Sequence, residues 1–246
     1  MSTLITPKSA LVISAHSADF VWRAGGAIAL HVEQGYQVHI VCLSYGERGE
    51  SAKLWRKGNM TEAMVKQHRQ QEAQAAAEIL GASVEFFDIG DYPLRADKDT
   101  LFRLADVYRR VQPHFVLTHS MHDPYNYDHP LASNLAQEAR IIAQAEGYRP
   151  GEPVVAAPPV YCFEPHQPEQ CNWKPDVLLD ITRVWEKKYR AIQCMQGQEH
   201  LWEYYTRVAL QRGVQAKRNI GITAARDISH AEGFQSIFPR VTGDLA

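Results

Sequence analysis

The sequence is short of several things, and each shortage removes a class of explanation. No apolar stretch approaches the roughly 20 residues needed to span a bilayer. Only four cysteines occur, Cys42, Cys162, Cys171 and Cys194, and none form a C-x-x-C pair. A disulfide scaffold is therefore excluded, and reduced thiols in a cytoplasmic protein are expected. An excess of charge of either sign is also lacking. The formal net charge of −2 gives no reason to expect nucleic acid or an anionic membrane as a partner. The opening MSTLITPKSA has no basic segment running into a long apolar one, so no secretory signal is expected. Internal repeats, low-complexity tracts and an obvious interdomain linker are missing as well.

What remains is an ordinary globular composition, 45% hydrophobic and 22% charged over 246 residues, with ample chain for one well-buried core. Apolar runs alternate with helix-period segments through the first two thirds. Strands are expected at Ala10–Ser14, Gln37–Ser44, Val84–Asp88, Phe115–Thr118, Pro159–Phe163 and Val177–Asp180. Several run continuously apolar, as strands covered on both faces do. Helices are expected at about 20–34, 61–80, 99–111 and 130–146, with Gly81, Pro113, Pro130 and Gly147 as their punctuation. This alternation predicts an α/β, Rossmann-like three-layer fold with a mostly parallel sheet and right-handed crossovers. A long helical stretch from about Arg183 to Arg212, then a polar irregular tail, reads as a C-terminal helical elaboration over about 183–246 of a single domain covering 1–246.

The eleven histidines matter through where they fall. His16 and Asp19 follow the first strand, in LVISAHSADF. Ser44 to Glu50 follow the second, His119 to Asp123 and Asp128-His129-Pro130 follow the fourth, and Glu164-Pro165-His166 follow the fifth. In open α/β sheets, sites form at these carboxyl ends. Two histidines and one aspartate drawn from two loops would make a three-ligand metal site with room for water. Taken singly, Asp19 could be a helix N-cap and His129 a turn residue before Pro130.

As a set these residues resemble a family. Ala15-His16-Ser17-Ala18-Asp19-Phe20 followed by Ala24-Gly25-Gly26 is similar to the A-H-P-D-D-E…GG signature of the PIG-L (LmbE-like) zinc N-deacetylases. Gly46-Glu47-Arg48-Gly49 looks like the family's G-E-x-G loop, and Arg69-Gln70-Gln71-Glu72 on to Leu80-Gly81 its R-x-x-E…LG helix. Asp128-His129 stands for its Asp-His pair, and His230-Ala231-Glu232-Gly233-Phe234 for its closing segment. The resemblance covers most of the chain in order. It implies His16, Asp19 and His129 as metal ligands, with zinc expected, although this donor set also suits iron(II) and other divalent ions. The usual H-P-D-H string is changed here to Asp128-His129-Pro130-Leu131.

Ala18 is the informative departure. In the deacetylases its place is held by an aspartate that activates the hydrolytic water. A methyl group cannot take a proton, and general-base catalysis is worth on the order of 10²–10⁴-fold. The pattern around Ala18 and at Asp123 to His129 resembles one branch of the family, the 4-oxalomesaconate (4-carboxy-2-hydroxymuconate) hydratases of gallate and protocatechuate catabolism. That resemblance implies a hydro-lyase acting on a tricarboxylate. A replacement base must come from another loop: Glu50 is favoured over Glu47, which belongs to the loop motif. His166 is the candidate acid. Arg69, Arg48 and Arg23 are the candidate carboxylate binders, and His119 and His122 are expected beside the site. The aromatics Trp185, Trp202, Tyr204 and Tyr205 read as core or subunit interface, and a homo-oligomer is expected. Two other readings stay open: a deacetylase with a relocated base, and a metal-binding protein without catalysis.

Overall fold

In the computed structural model, which describes residues 8–221, 227–241 and 243, the first strand lies at the centre of the sheet. β1 (Ser9–Ser14) is buried along its whole length and pairs in parallel with β2 (Gln37–Cys42) on one side and β4 (Phe115–Thr118) on the other. β3 (Ser83–Phe86) extends the sheet beyond β2, and β5 (Val160–Phe163) extends it beyond β4, both in parallel. β7 (Ala231–Ser236) runs antiparallel between β5 and β6 (Val177–Asp180), giving the order β3-β2-β1-β4-β5-β7-β6. The α/β fold expected from the alternation is present, with a mixed far edge.

Alternate residues of β1 serve two cores. Ala10 and Val12 face the cluster beneath α1 (Asp19–Glu33), α3 (Glu62–Leu80) and α6 (Trp185–Gln193), while Leu11 and Ile13 face α4 (Lys98–Val111) and α5 (Asp128–Gln144). That double burial explains why β1 reads as unbroken apolar sequence. Helix ends follow their local chemistry. The Thr61 hydroxyl caps α3 by accepting from Met64 N, Gly81 ends it in the left-handed conformation, and Asp97 caps α4 through Thr100 N. α2 (Ala52–Trp55) is a single turn.

Two expectations need correction. The stretch from Arg183 to Arg212 is not one helix. α6 and α7 (Trp202–Ile220) are separated by a 3₁₀ segment at Gln196–Leu201 in which Gln198 leaves helical geometry at φ −129°, ψ 36°. The tail is not irregular throughout, because Ala231–Ser236 is β7. Its sequence AEGFQS has little intrinsic strand propensity, and pairing on both edges supplies what propensity does not.

Gly26 lets α1 lie against the sheet edge. A Cβ there would come within 2.7 Å of two Ile181 side-chain carbons, and Ile181 is fully buried. Gly26→Ala is expected to destabilise the fold by about 1–3 kcal/mol through overpacking. Urea denaturation checks this, with a lowered midpoint at constant slope; an unmoved midpoint would contradict the packing.

Candidate metal centre and active site

Strand order reverses at β1: the chain builds β2 and β3 on one side, then returns to place β4 on the other. The crevice at the carboxyl ends of β1 and β4 is thus the switch point where such sheets hold ligands. His16 sits two residues past β1, His119 directly past β4, and Asp19 and His129 in the first turns of α1 and α5. All four are buried.

Asp19 is the hub. One carboxylate oxygen, Oδ2, accepts the His16 backbone N–H at 2.9 Å and lies 3.1 Å from His16 Nδ1. The other, Oδ1, lies 3.7 Å from His129 Nε2 and accepts from Arg23 Nε at 3.4 Å. Both imidazoles are backed by a carboxylate on the outer nitrogen: Asp128 Oδ2 lies 3.2 Å from His16 Nε2, and Asp123 Oδ2 lies 2.8 Å from His129 Nδ1. Asp128 is itself fixed by the backbone N–H groups of Tyr92 and Leu94. An outer N–H held by a carboxylate is the arrangement that orients metal-ligating histidines, whose inner nitrogen offers its lone pair to an ion once it carries no proton.

Electrostatics follow from burial and these contacts. Burial pulls the His16 imidazole down, but the Asp128 and Asp19 carboxylates overcome it and hold its pKa well above the ordinary value. Burial and the neighbouring His119 push His129 down to about 4. Burial also pushes His119 down; its Nε2 accepts the Ala15 N–H at 2.9 Å, as a neutral ring does, and the ring stacks on His129 at 4.2 Å. Burial opposes ionisation of Asp19, yet the His119 and His129 rings and the hydrogen bonding of His16 keep its carboxyl well below the usual range.

His16, Asp19 and His129 each offer one ligand atom, and the three atoms lie within 4.8 Å of one another. The fit to a divalent cation rests on His129 Nε2, a buried nitrogen with no hydrogen-bond partner, turned toward a carboxylate. Such an orphan is costly unless something occupies it.

The site opens into a cleft of about 610 Å³ whose walls include Arg23, Glu50, His166, Gln198 and Tyr205. Glu50 Oε1 is 3.9 Å from His16 Nδ1 and accepts from Asn126 Nδ2 at 3.4 Å; its Oε2 accepts from Gln198 Nε2 at 2.6 Å. His166 stacks on Tyr204 at 4.2 Å, and the Tyr204 hydroxyl donates to the His166 carbonyl. Tyr205 stacks on Trp22 at the cleft wall, so Tyr204 and Tyr205, read from sequence as core or subunit interface, also shape the site.

The three arginines separate. Arg23 lines the cleft, with Nη1 donating to Glu164 O at 2.6 Å. Arg69 is fully buried behind the wall, its guanidinium on Glu72 and Gln198. Arg48 turns away toward Asp91 and Glu62. Arg69 and Arg48 therefore do not line the cleft, whose other basic side chains are Lys53, paired with Glu199, Arg56 and His200. Glu47 is fully buried, with Lys66 Nζ at 3.7 Å, and is not a cleft residue. His122 is exposed. Sequence reasoning carried Asp123 and Asn126 only as letters of a motif, with no role for either, and missed Gln198. Asp123 stands six residues before His129, a spacing that says nothing until the loop is folded.

Residues 11–140 match the PIG-L family, described as GlcNAc-PI de-N-acetylase. A 4-oxalmesaconate hydratase of Pseudomonas putida KT2440 is 82% identical over 239 residues, covering 97% of this chain and 93% of that protein. The crystal structure of GalB, the 4-carboxy-2-hydroxymuconate hydratase from the same strain, matches with a TM-score of 0.96 over 97% of this chain and 100% of that one, at 82% identity. A diacetylchitobiose deacetylase of Thermococcus kodakarensis is 27% identical over 219 residues, 84% of this chain and 78% of that protein.

Proposed function

The chain belongs to the PIG-L family, and from that premise we propose that it is a metal-dependent hydratase acting on 4-oxalomesaconate (4-carboxy-2-hydroxymuconate). It adds water to the conjugated carbon–carbon double bond to give 4-carboxy-4-hydroxy-2-oxoadipate, a step of gallate or protocatechuate breakdown. The observation that carries the reading is the 82% identity, over nearly the whole chain, to a 4-oxalmesaconate hydratase. Deacetylase relatives are far more distant.

His16, Asp19 and His129 would hold the ion, with zinc proposed for it. A divalent ion there supplies Lewis acidity, which can bring the pKa of a bound water to about 7. Glu50 accepts the proton that the attacking water gives up, from a position beside His16 that the two amides of Asn126 and Gln198 define. The water oxygen bonds to one alkene carbon, and the neighbouring carbon gains a proton from His166. Burial, and then the Arg23 charge, push the His166 imidazole below its ordinary value. A bound tricarboxylate counters the second of these and favours the protonated, donating ring. Arg23 in the cleft and Arg56 and His200 on its wall meet the substrate carboxylates.

Ala18 is only 2% exposed and precedes Asp19 at the start of α1. A carboxylate there would join Asp19, Asp128 and Glu50 and repel an anionic substrate. Ala18→Asp is therefore expected to lower kcat/KM for hydration by at least about tenfold, roughly 1.4 kcal/mol of lost transition-state binding. Steady-state kinetics with a metal assay checks this, and full retained activity would remove the rationale for the alanine. The function itself is tested by offering N-acetylglucosamine substrates to the zinc-loaded protein. No acetate is expected; steady acetate release would favour the deacetylase alternative.

A further inference from the structure

Arg69 and Glu72 of the helix motif do not line the cleft, yet both side chains are buried and bonded to the 3₁₀ segment between α6 and α7, whose Gly197 and Gln198 do line it. Gly197 N donates to Glu72 Oε1 at 2.8 Å, and Glu72 also pairs with Arg69. Arg69 Nη2 donates to Gln198 Oε1 at 2.8 Å. A Cβ on residue 197 would sit 3.1 Å from Arg69 Nη1, which suits the glycine found there. The non-helical turn at Gln198 therefore places one amide, 4% exposed, between Arg69 and Glu50.

We infer that Gln198, locked by Arg69 and Glu72, is a positioning residue that holds the Glu50 carboxylate toward the attacking water. The inference rests on Glu50 as proton acceptor in the reading above. A guanidinium has donors and no acceptor, so the Gln198 amide oxygen must face Arg69. Its NH₂ group must then face Glu50, where the contact is 2.6 Å. The orientation follows from the chemistry of the partners. Asn126 is fixed by the same logic: its Oδ1 accepts from Asp128 N at 3.1 Å, so its NH₂ is turned to Glu50 Oε1 and the Tyr92 hydroxyl. Each Glu50 oxygen thus has one preset donor. A carboxylate held in a single rotamer loses no orientation at the moment of proton transfer, which is how a few tenths of an ångström become a rate effect.

Gln198→Met keeps the volume and removes both the amide oxygen and the NH₂ group. Its expected result is a kcat lowered about 10- to 100-fold, as for a hydrogen bond to a charged group, with KM and bound zinc unchanged. In a Glu50→Gln background the same substitution is expected to change kcat by less than about twofold, because both act on one step. Gln198→Glu, which keeps the Arg69 contact but turns an oxygen to Glu50, serves where the methionine variant does not fold; it should lose at least as much kcat. A raised KM at normal kcat would make Gln198 a substrate contact and overturn the inference. Multiplicative losses in the double variant, or a near-normal Gln198→Glu enzyme, would also overturn it. Full kcat in Glu50→Gln alone would overturn the reading of Glu50 and this inference with it, whereas a large Glu50→Gln loss with multiplicative Gln198 loss would sink only the latter.

Discussion

Glu50→Gln is expected to lower kcat for hydration by about 10²- to 10⁴-fold, the range that general-base catalysis contributes, with metal content equal to that of the parent protein. The substitution preserves shape and removes the ability to take a proton. Glu50 is not among the three clustered ligands, so metal content should not follow activity down. The effect should also fall on kcat more than on KM, because in the proposed mechanism the carboxylate acts on the reacting water rather than on the substrate carboxylates. Turnover within about threefold of wild type would exclude Glu50 from proton transfer on that scale. The base would then have to be sought elsewhere on the cleft.

The second large effect is on stability. Lys188 and Glu232 form an ion pair at 2.7 Å, with 2% and 4% of their side chains exposed. They meet in the middle of α1. Glu232 accepts the backbone N–H groups of Gly26 and Ala27, each at 2.7 Å, while Lys188 Nζ donates to the Trp22 carbonyl at 3.0 Å. In a regular helix the Gly26 N–H donates to that same Trp22 carbonyl, and the ion pair adds a charged partner to each of the two groups. Gly25 admits the lysine, since a Cβ there would be 3.3 Å from Lys188 Cγ. The pair thus ties α6 and β7 to the helix that begins with Asp19.

Lys188→Met would leave the Glu232 charge buried without its counter-ion. Breaking such a pair from one side typically costs about 3–5 kcal/mol. Denaturant unfolding of the metal-free variant is expected to show that loss as a lowered midpoint, and metal binding should weaken because Asp19 lies at the start of the same helix. A loss below about 1 kcal/mol would place the pair among interactions that merely break even against apolar packing.

Much of this was legible in the sequence, for identifiable reasons. β1, β2, β4 and their helices announce themselves because both faces of the central strands are buried and because residues such as Thr61 and Gly81 mark where a helix starts and stops. His16, Asp19 and His129 were legible because they fall at strand–helix junctions in the order the family keeps. The basic side chains of the cleft were not: Arg69 matches a motif but spends its guanidinium on Glu72 and Gln198, whereas Arg56 and His200 match nothing and line the cleft. Gln198 could not be found from spacing, because its place depends on a helix interruption held by a contact 125 residues away in sequence, Gly197 to Glu72. β7 was hidden for a related reason, since its pairing is supplied by β5 and β6 rather than by its own residues.

The most direct test of the account is hydration of 4-oxalomesaconate by the protein stripped with a chelator and then reloaded with zinc, followed as loss of the conjugated chromophore with the product identified. The account predicts no turnover in the stripped protein and recovered formation of 4-carboxy-4-hydroxy-2-oxoadipate on reloading. Equal hydration with and without metal, or none in either, would contradict it.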